Sequence, residues 1–415
     1  MFNKERLALF GYGKTTKAIA KKLGGACNFF DDNTNSIYQD SQKNTIYPSS
    51  YFDPKNFDIE VATPSLYPNN PLVQKANKLL SEYDFFLSPQ SPLVKEDEQL
   101  PFTIWISGTN GKTTTTQMLT HILKDRGALS GGNIGTPLAD LDKKAPIWVL
   151  ETSSFTLHHT KYASPNIYLL LPITPDHLDW HGGSDNYIQD KLKPLTTMQE
   201  GELALVPKGL PLPKSNAWIV EYEDSSDIEK FFGIQTNKIK FKGAFLLDSI
   251  LALAVAKVLF ESIEYDLINN FELDAHRQEE LQDAKGRIWV NDSKATNVDA
   301  ALQAIKLYND RTIHLILGGD DKGVDLEPFF QEISGSNIII YAIGSNAAKI
   351  VKLSTKYSIP VTKADTLHNA LNLLEKKHTK ESVALLAPAA SSLDQFSSYA
   401  QRGNEFKEFI KKINT

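Results

Sequence analysis

Pro101-Phe102-Thr103-Ile104-Trp105-Ile106-Ser107 runs directly into Gly108-Thr109-Asn110-Gly111-Lys112-Thr113, and a helical stretch, Thr114–Lys124, follows. The first seven residues are largely apolar, β-branched or aromatic, the composition of a buried strand. The glycines let backbone N–H groups turn inward without a Cβ in the way. The helix N-terminus adds partial positive charge. Strand, glycine turn, Lys-Thr and helix together make a nest for a polyphosphate. In it Gly108, Thr109, Asn110, Gly111 and Thr114 supply the cradle, Lys112 neutralises terminal phosphates, and the Thr113 hydroxyl can ligate Mg²⁺. The run is shorter than the usual G-x-x-x-x-G-K-[ST] loop, since Ile106 stands where the first glycine would fall. The alternative is an ordinary strand–turn–helix connection. The expectation is a chain that spends a nucleoside triphosphate.

Outward from that loop, short apolar runs alternate with amphipathic stretches, as in α/β layers with parallel sheets. In the first part, strands are expected at Leu7–Phe10, Asn28–Phe30, Ile59–Ala62 and Phe85–Leu87, and helices at Thr15–Leu23 and Leu72–Ser81. Pro89, Pro92 and the charged run Lys95 to Glu98 read as a boundary. A second block carries strands at Phe102–Ser107, Ile147–Leu150, Ile167–Leu171 and Leu203–Val206, with a helix at Ala244–Leu259. A third has strands at Ile288–Val290, Ile313–Leu317, Ile338–Ile343 and Val383–Ala387, and a last helix from Gln395 to Lys412. The expected fold class is α/β in three domains: residues 1–94 Rossmann-like, 95–273 a phosphate-loop ATPase-like parallel sheet, and 274–415 again Rossmann-like.

At 415 residues the chain exceeds one ordinary domain. Lys and Arg number 44 against 50 Asp and Glu, a net charge of −6 with no basic tail, which argues against a nucleic-acid platform. The single cysteine, Cys27, excludes an intrachain disulfide framework and fits a reducing cytoplasm. Leu7–Phe10 is too short for a signal-peptide core, and no window is expected to reach a membrane span.

Polar residues gather where apolar strands end, the place where ligands bind in open α/β sheets. Gly11-Tyr12-Gly13-Lys14-Thr15-Thr16 follows the first strand. With Asp31-Asp32 after the next strand, it reads as a nicotinamide or flavin fingerprint, another diphosphate cradle, or a tight turn. Glu151 ends a strong apolar strand and is placed to hold Mg²⁺, which prefers oxygen ligands. Thr174 to His181 groups two acids and two histidines, with Lys191 on the following helix; it reads as a polar loop or a second metal or phosphate site. Loops Asn291–Asn297, Gly318–Gly323 and Pro388–Gln395 each fit turn chemistry alone. Together they make a second crevice suited to carboxylates. His158-His159 shows no partner pattern, and His314 reads as a core histidine.

Taken together, these runs resemble the Mur ligase family. The matching segments are Gly108–Thr113, Asn133-Ile134-Gly135, Glu151–Phe155, Asp176–Asp179 with Tyr187 to Lys191, His276-Arg277, Asn291–Asn297, Gly318–Gly323 and Ser392–Glu405. The Asp-Ser-Lys-Ala-Thr-Asn run at 292–297 looks like that of the D-glutamate-adding members. It lacks the Ala-His run of related ligases, including the folylpolyglutamate synthases. The resemblance implies an ATP-dependent amide ligase of peptidoglycan synthesis that adds D-glutamate to UDP-N-acetylmuramoyl-L-alanine through an acyl phosphate. It implies a cytoplasmic monomer with no nucleic-acid partner and no membrane insertion. By position, Lys112, His177 and Lys191 would be catalytic, and Thr113 and Glu151 would hold a first Mg²⁺. His177 and Lys191, carried as a carbamate, would hold a second. Arg277 and Asp292 would face ATP. Gly13, Lys14 and Thr15 would cradle the UDP diphosphate, with Asn133 and Ser153 on the muramoyl part. Thr296, Lys322, Ser392, Leu393 and Tyr399 would take D-glutamate. Two segments depart from the family pattern: Phe245-Leu246-Leu247-Asp248-Ser249, where an adenine-side His-Asn-x-x-Asn is usual, and Thr63-Pro64-Ser65, where Ser-Pro-Gly is usual. The rival expectations are a sister Mur or folylpolyglutamate ligase, a nucleotide-regulated binding protein without ligase activity, and a nicotinamide dehydrogenase.

Overall fold

The computed structural model describes residues 3–95 and 98–414. Part of the proposed charged boundary, Glu96 and Asp97, lies outside them. The fold is α/β, with three six-stranded, mostly parallel sheets. In spatial order the first holds Tyr38–Gln39, Thr45–Pro48, Asn28–Asp31, Leu7–Phe10, Ile59–Ala62 and Leu79–Leu80; only the Tyr38–Gln39 edge runs antiparallel. The second is wholly parallel: Trp218–Tyr222, Leu203–Pro207, Ile167–Leu170, Phe102–Ser107, Ile147–Glu151 and Ala128–Gly132. The third holds Glu279–Gln282, Ile288–Asn291, Ser382–Leu386, Thr312–Gly318, Ile338–Ile343 and Val361–Asp365, with an antiparallel first edge. The central strands are buried along nearly their whole length, which is why they read as continuous apolar runs rather than alternating ones.

The chain forms two compact units, one of Met1–Phe241 with Phe245–Phe271, the other of Lys242–Ala244 with Glu272–Thr415. The first two sheets therefore share a unit. One apolar cluster joins Leu9, Phe29, Val61 and Tyr83 of the first block to Trp105, Trp148 and Tyr168 of the second. Tyr83 meets Trp105 edge to face at 4.7 Å. The fully buried Asp84 carboxylate accepts the backbone N–H groups of Lys161 (2.9 Å), Tyr162 (2.8 Å) and Ala163 (2.8 Å). The buried Glu82 Oε1 accepts from the Leu138 N–H at 2.8 Å. Burial pushes the Glu82 carboxyl up to about 8.

Four expectations are corrected. Phe85–Leu87 is not a strand: it lies in the helix Glu82–Leu87, capped by Ser81 and Asp84. The stretch Leu72–Ser81 is a short helix, Pro71–Lys75, and a two-residue strand, Leu79–Leu80, because Ala76 is already extended. The last helix begins at Tyr399, where Ser398 accepts from the Gln401 N–H, not at Gln395. The helix Gly243–Phe260 is long and apolar enough to cross a membrane by length and composition. Every residue from Asp248 to Ala256 is buried, and a helix apolar all round is what a core position selects.

Candidate active site

Three neighbouring strands of the second sheet, Phe102–Ser107, Ile147–Glu151 and Ile167–Leu170, deliver their carboxyl ends to one place. The Gly108–Thr113 loop leaves the first. Gly111 caps the helix Lys112–Ile122 at φ 82°, and a Cβ there would stand 2.5 Å from Asp248 Oδ1. Only glycine serves at that position. Lys112 Nζ donates to the carbonyls of Gly108 (3.0 Å) and Thr109 (2.8 Å), folded over its own loop. Thr109 Oγ1 donates to the Thr174 carbonyl at 2.8 Å, lies 3.0 Å from the Tyr187 hydroxyl and accepts the Thr174 N–H. The loop is thus tied to the His177 segment.

Glu151 is buried at the end of the second strand. Its Oε1 accepts from Asn133 Nδ2 at 2.6 Å, while its buried Oε2 has no hydrogen-bond partner among the described residues. A buried carboxylate oxygen without a donor is costly unless a cation completes it. A hard oxygen ligand of this kind suits a cation such as Mg²⁺. Ser153 caps the helix Ser154–His159.

The third strand leads to His177, half exposed, at φ 51° before the short helix Leu178–His181, its ring 4.7 Å from that of Phe155. Lys191 sits on the next helix, Ser184–Leu192, and is 1% exposed. Its Nζ donates to the Gly108 carbonyl at 2.8 Å and lies 4.7 Å from the centre of the Tyr187 ring. Burial, reinforced by the Lys112 charge, holds the Lys191 ammonium well below the ordinary lysine range. Lys112, Thr113, Glu151, Asn133, Ser153 and Lys191 are accordingly brought to one mouth. A cavity of about 820 Å³, lined in part by Phe102, Thr103, Pro146 and Asn166, opens instead at the opposite, amino ends of the strands, away from these groups.

The Gly11–Thr16 turn belongs to the same unit. Lys14 Nζ donates to the Gly135 carbonyl, two residues beyond Asn133. Thr16, in place of a third glycine, donates its hydroxyl to the Gly11 carbonyl at 2.6 Å and accepts the Gly13 N–H. Asp31 is engaged by the N–H groups of Tyr12 (2.6 Å) and Asn33 (2.8 Å), so this carboxylate braces the turn. The divergent Thr63-Pro64-Ser65 segment is held by Trp180, whose Nε1 donates to the Ser65 carbonyl at 3.1 Å.

In the other unit the three polar loops leave the adjacent strands Ile288–Asn291, Ser382–Leu386 and Thr312–Gly318. They are laced together: Ala389 N–H donates to the Ala295 carbonyl at 3.0 Å, and Asp320 pairs with Ser391. Ser392 is buried; Thr296, Lys322 and Leu393 are exposed. Lys294 Nζ stands 4.1 Å from the centre of the Tyr399 ring. Burial pushes the Asp292 carboxyl up to about 7, opposed by Arg277. His314 is a core histidine beside Tyr341 and His378, as its strand context indicated.

Sequence reasoning assigned no role to Arg402 or Gly403, though both lie in the matching 392–405 segment, and found no partner for His158. Arg402, 1% exposed, donates to the Ser293 hydroxyl (3.0 Å), the Ser293 carbonyl (2.9 Å) and the Ala390 carbonyl (3.2 Å), clamping two of the loops. Gly403 lies so close to His276 that a Cβ would meet Nδ1 at 2.2 Å. His158 does have a partner: its Nδ1 is 2.9 Å from Asp190 Oδ2, and His181 Nδ1 is 2.7 Å from the same oxygen. Although burial opposes it, the two imidazoles hold the Asp190 carboxyl below its ordinary value.

The chain is 48% identical over 411 residues to a UDP-N-acetylmuramoylalanine–D-glutamate ligase of Campylobacter jejuni, covering 98% of this chain and 100% of that one. The chain belongs to the Mur ligase family. Within it, the chain stands with the UDP-N-acetylmuramoylalanine–D-glutamate ligases. The same-named protein of Helicobacter pylori is 43% identical over 425 residues, covering 98% and 100%. The Mur ligase middle domain matches residues 106–246, the stretch from the phosphate loop to the start of the long apolar helix. A solved UDP-N-acetylmuramate-alanine ligase of Thermotoga maritima shares the fold, with a TM-score of 0.54 at 15% identity over 98% of this chain and 99% of that one.

Proposed function

We propose that this chain joins D-glutamate to the L-alanine carboxylate of UDP-N-acetylmuramoyl-L-alanine, converting ATP to ADP and phosphate, in peptidoglycan synthesis. One observation carries the reading: a phosphate loop, a buried glutamate with an uncompensated oxygen and a buried lysine converge on the carboxyl ends of three adjacent strands. Full-length similarity to the Campylobacter and Helicobacter ligases sets the substrate class. We read residues 1–94 as the UDP-substrate domain, 95–273 as the ATP domain and 274–415 as the amino-acid domain, in a cytoplasmic monomer.

A carboxylate is a poor acyl donor to an amine, because its oxygen is a poor leaving group. Phosphoryl transfer to the L-alanine carboxylate makes an acyl phosphate, and the amine of D-glutamate then displaces phosphate. The phosphate-loop amides and Lys112 orient the γ-phosphate and offset its repulsion from the carboxylate. Lys112 leaves its loop carbonyls to do so. Thr113 and Glu151 would hold one Mg²⁺, and His177 with carbamylated Lys191 a second; when bound, the metals supply charge neutralisation along the phosphates. A lysine must be neutral to take up CO₂, and the depressed Lys191 ammonium favours that form. Gly13, Lys14 and Thr15 cradle the UDP diphosphate, and Asn133 and Ser153 position the muramoyl part. Thr296, Lys322, Ser392, Leu393 and Tyr399 hold D-glutamate, and Arg277 and Asp292 attend ATP.

Phosphate release from ATP, measured with UDP-N-acetylmuramoyl-L-alanine and a panel of amino acids, tests the reading. Release should require both the UDP substrate and D-glutamate. Equal turnover with L-glutamate, L-lysine or a folate acceptor would overturn it. For Lys191, the Ala variant should be nearly inactive and partly restored by a short carboxylic acid. Substantial activity in Lys191→Arg would rule out the carbamate.

A further inference from the structure

Asp190 stands immediately before Lys191 on the helix Ser184–Leu192 but serves a different neighbourhood. Its carboxylate is 2.7 Å from His181 Nδ1 and 2.9 and 3.0 Å from His158 Nδ1. The opposite nitrogen of His181, Nε2, is 3.0 Å from the Ser154 hydroxyl. Satisfying every group fixes the protons. Both histidines carry Nδ1–H and donate to Asp190, and Ser154 donates to His181 Nε2. The His181 side chain is fully buried, its ring stacked on Phe155 at 5.6 Å.

Two other readings of this cluster fit less well. The three ligand atoms lie within 4.8 Å of one another, close enough to suggest a metal. A tetrahedral cation with bonds of about 2.0–2.1 Å would hold its ligand atoms about 3.3 Å apart. The observed nitrogen–oxygen separations of 2.7 and 2.9 Å are those of hydrogen bonds. The order Ser154, His181, Asp190 is also that of a nucleophilic triad, but Ser154 is only 4% exposed and opens a helix.

The cluster joins three helices. Ser154 and His158 lie on Ser154–His159, directly after Glu151 and Ser153. His181 closes Leu178–His181, which His177 opens. Asp190 is on the helix of Lys191. We propose that Asp190 and His181, with Ser154 and His158, are positioning residues for the ligase reaction: their hydrogen-bonded knot sets Lys191, His177 and Ser153 at fixed mutual distances. The inference rests on the roles given to Lys191 and His177 above. A lysine Nζ extends roughly 8 Å from its helix axis, so a rotation of about 10° would carry it about 1.4 Å. Misplacement by about 1 Å can cost about a hundredfold in rate.

The test uses the full chain and compares Asp190→Ala, Asp190→Asn, His181→Phe and Ser154→Ala. The readouts are kcat, the three KM values, the Mg²⁺ concentration for half-maximal activity, and Tm. Asp190→Ala and His181→Phe should lower kcat between about tenfold and a hundredfold and raise the Mg²⁺ requirement severalfold, with each KM within about twofold. Asp190→Asn keeps a carbonyl oxygen for the imidazole N–H groups and should recover part of kcat. Should the Ala variant fail to fold, Asp190→Asn and Ser154→Ala carry the test through the Mg²⁺ requirement. Folded variants with kcat and Mg²⁺ requirement within twofold of the parent would overturn the proposal. So would stoichiometric zinc in the purified protein whose removal lowers Tm. Lys191→Ala, run in parallel, separates the two readings. If it stays active, the Lys191 assignment fails. If it is dead while Asp190→Ala is normal, only the positioning role fails.

Discussion

Replacing Asp84 by alanine should loosen the first block from the second. The carboxylate is fully buried and accepts three backbone N–H groups of the second block, those of Lys161, Tyr162 and Ala163, at 2.8–2.9 Å, besides the Ser81 N–H of its own capping box at 3.5 Å. Alanine leaves all three amides without their acceptor. A buried donor left unsatisfied costs about 1–3 kcal/mol, so the expected loss is about 3–6 kcal/mol once partial access of water is allowed. Asp84→Asn keeps one oxygen for Tyr162 and Ala163 and turns an N–H₂ toward Lys161; it should lose about 1–3 kcal/mol. Amide hydrogen exchange reads this locally. It suits a chain of two compact units, whose global unfolding need not be a single transition. At 1.36 kcal/mol per decade, protection of the Lys161–Ala163 amides should fall by about two to four orders of magnitude in Asp84→Ala. The UDP-substrate KM should rise as the first block loosens. A fall in protection of less than tenfold would refute the idea that this carboxylate fastens the two blocks.

Lys112→Ala removes the cation of the phosphate loop, and kcat should fall at least about a hundredfold with the Tm little changed, as read by phosphate release and calorimetry. Lys322→Ala and Ser392→Ala should raise the KM for D-glutamate far more than that for ATP; the opposite pattern would assign these loops to the nucleotide. Glu82 supplies a pH signature. Its folded value, raised to about 8 from an ordinary 4.5, means the folded state keeps a proton that the unfolded state releases. Its contribution is therefore full below about pH 4.5 and is lost as pH rises toward 8. Glu82→Gln, which cannot ionise, should match the parent in Tm near pH 5 and exceed it increasingly up to about pH 8, levelling above that. A Tm difference independent of pH would exclude this account.

The strand-end loops were legible because each is local: an apolar run, then Gly, Ser, Thr, Lys or Asp, then a helix. The Gly108–Thr113 loop and Glu151 follow from that grammar; Lys191, near the end of the helix Ser184–Leu192, took its role from the family resemblance, and the structure brings all three to one mouth. Phe85-Phe86-Leu87 misled because a short apolar run fits a buried strand or a buried helix equally well. The arbiter was at hand, since Ser81 and Asp84 are spaced as a capping box. Ser398, three residues before Gln401, likewise marks the true start of the last helix. The long-range polar contacts had no such signal. Asp84 meets amides 77 to 79 residues away, and Arg402 reaches Ser293 across 109. A single sequence does not show which distant donor a buried acid or arginine will meet.

The fastening of the first block to the second bears on how such a chain can be recombined. Swapping in a foreign first block at residue 94 would leave the amides of Lys161, Tyr162 and Ala163 and the Leu138 N–H facing a surface without their acceptors. A workable graft would carry residues equivalent to Glu82 and Asp84 in register, together with the aromatic that meets Trp105. Insertions and deletions between the first two blocks are therefore constrained from both sides. In a lineage of such enzymes, these two blocks should be inherited and exchanged as one cassette.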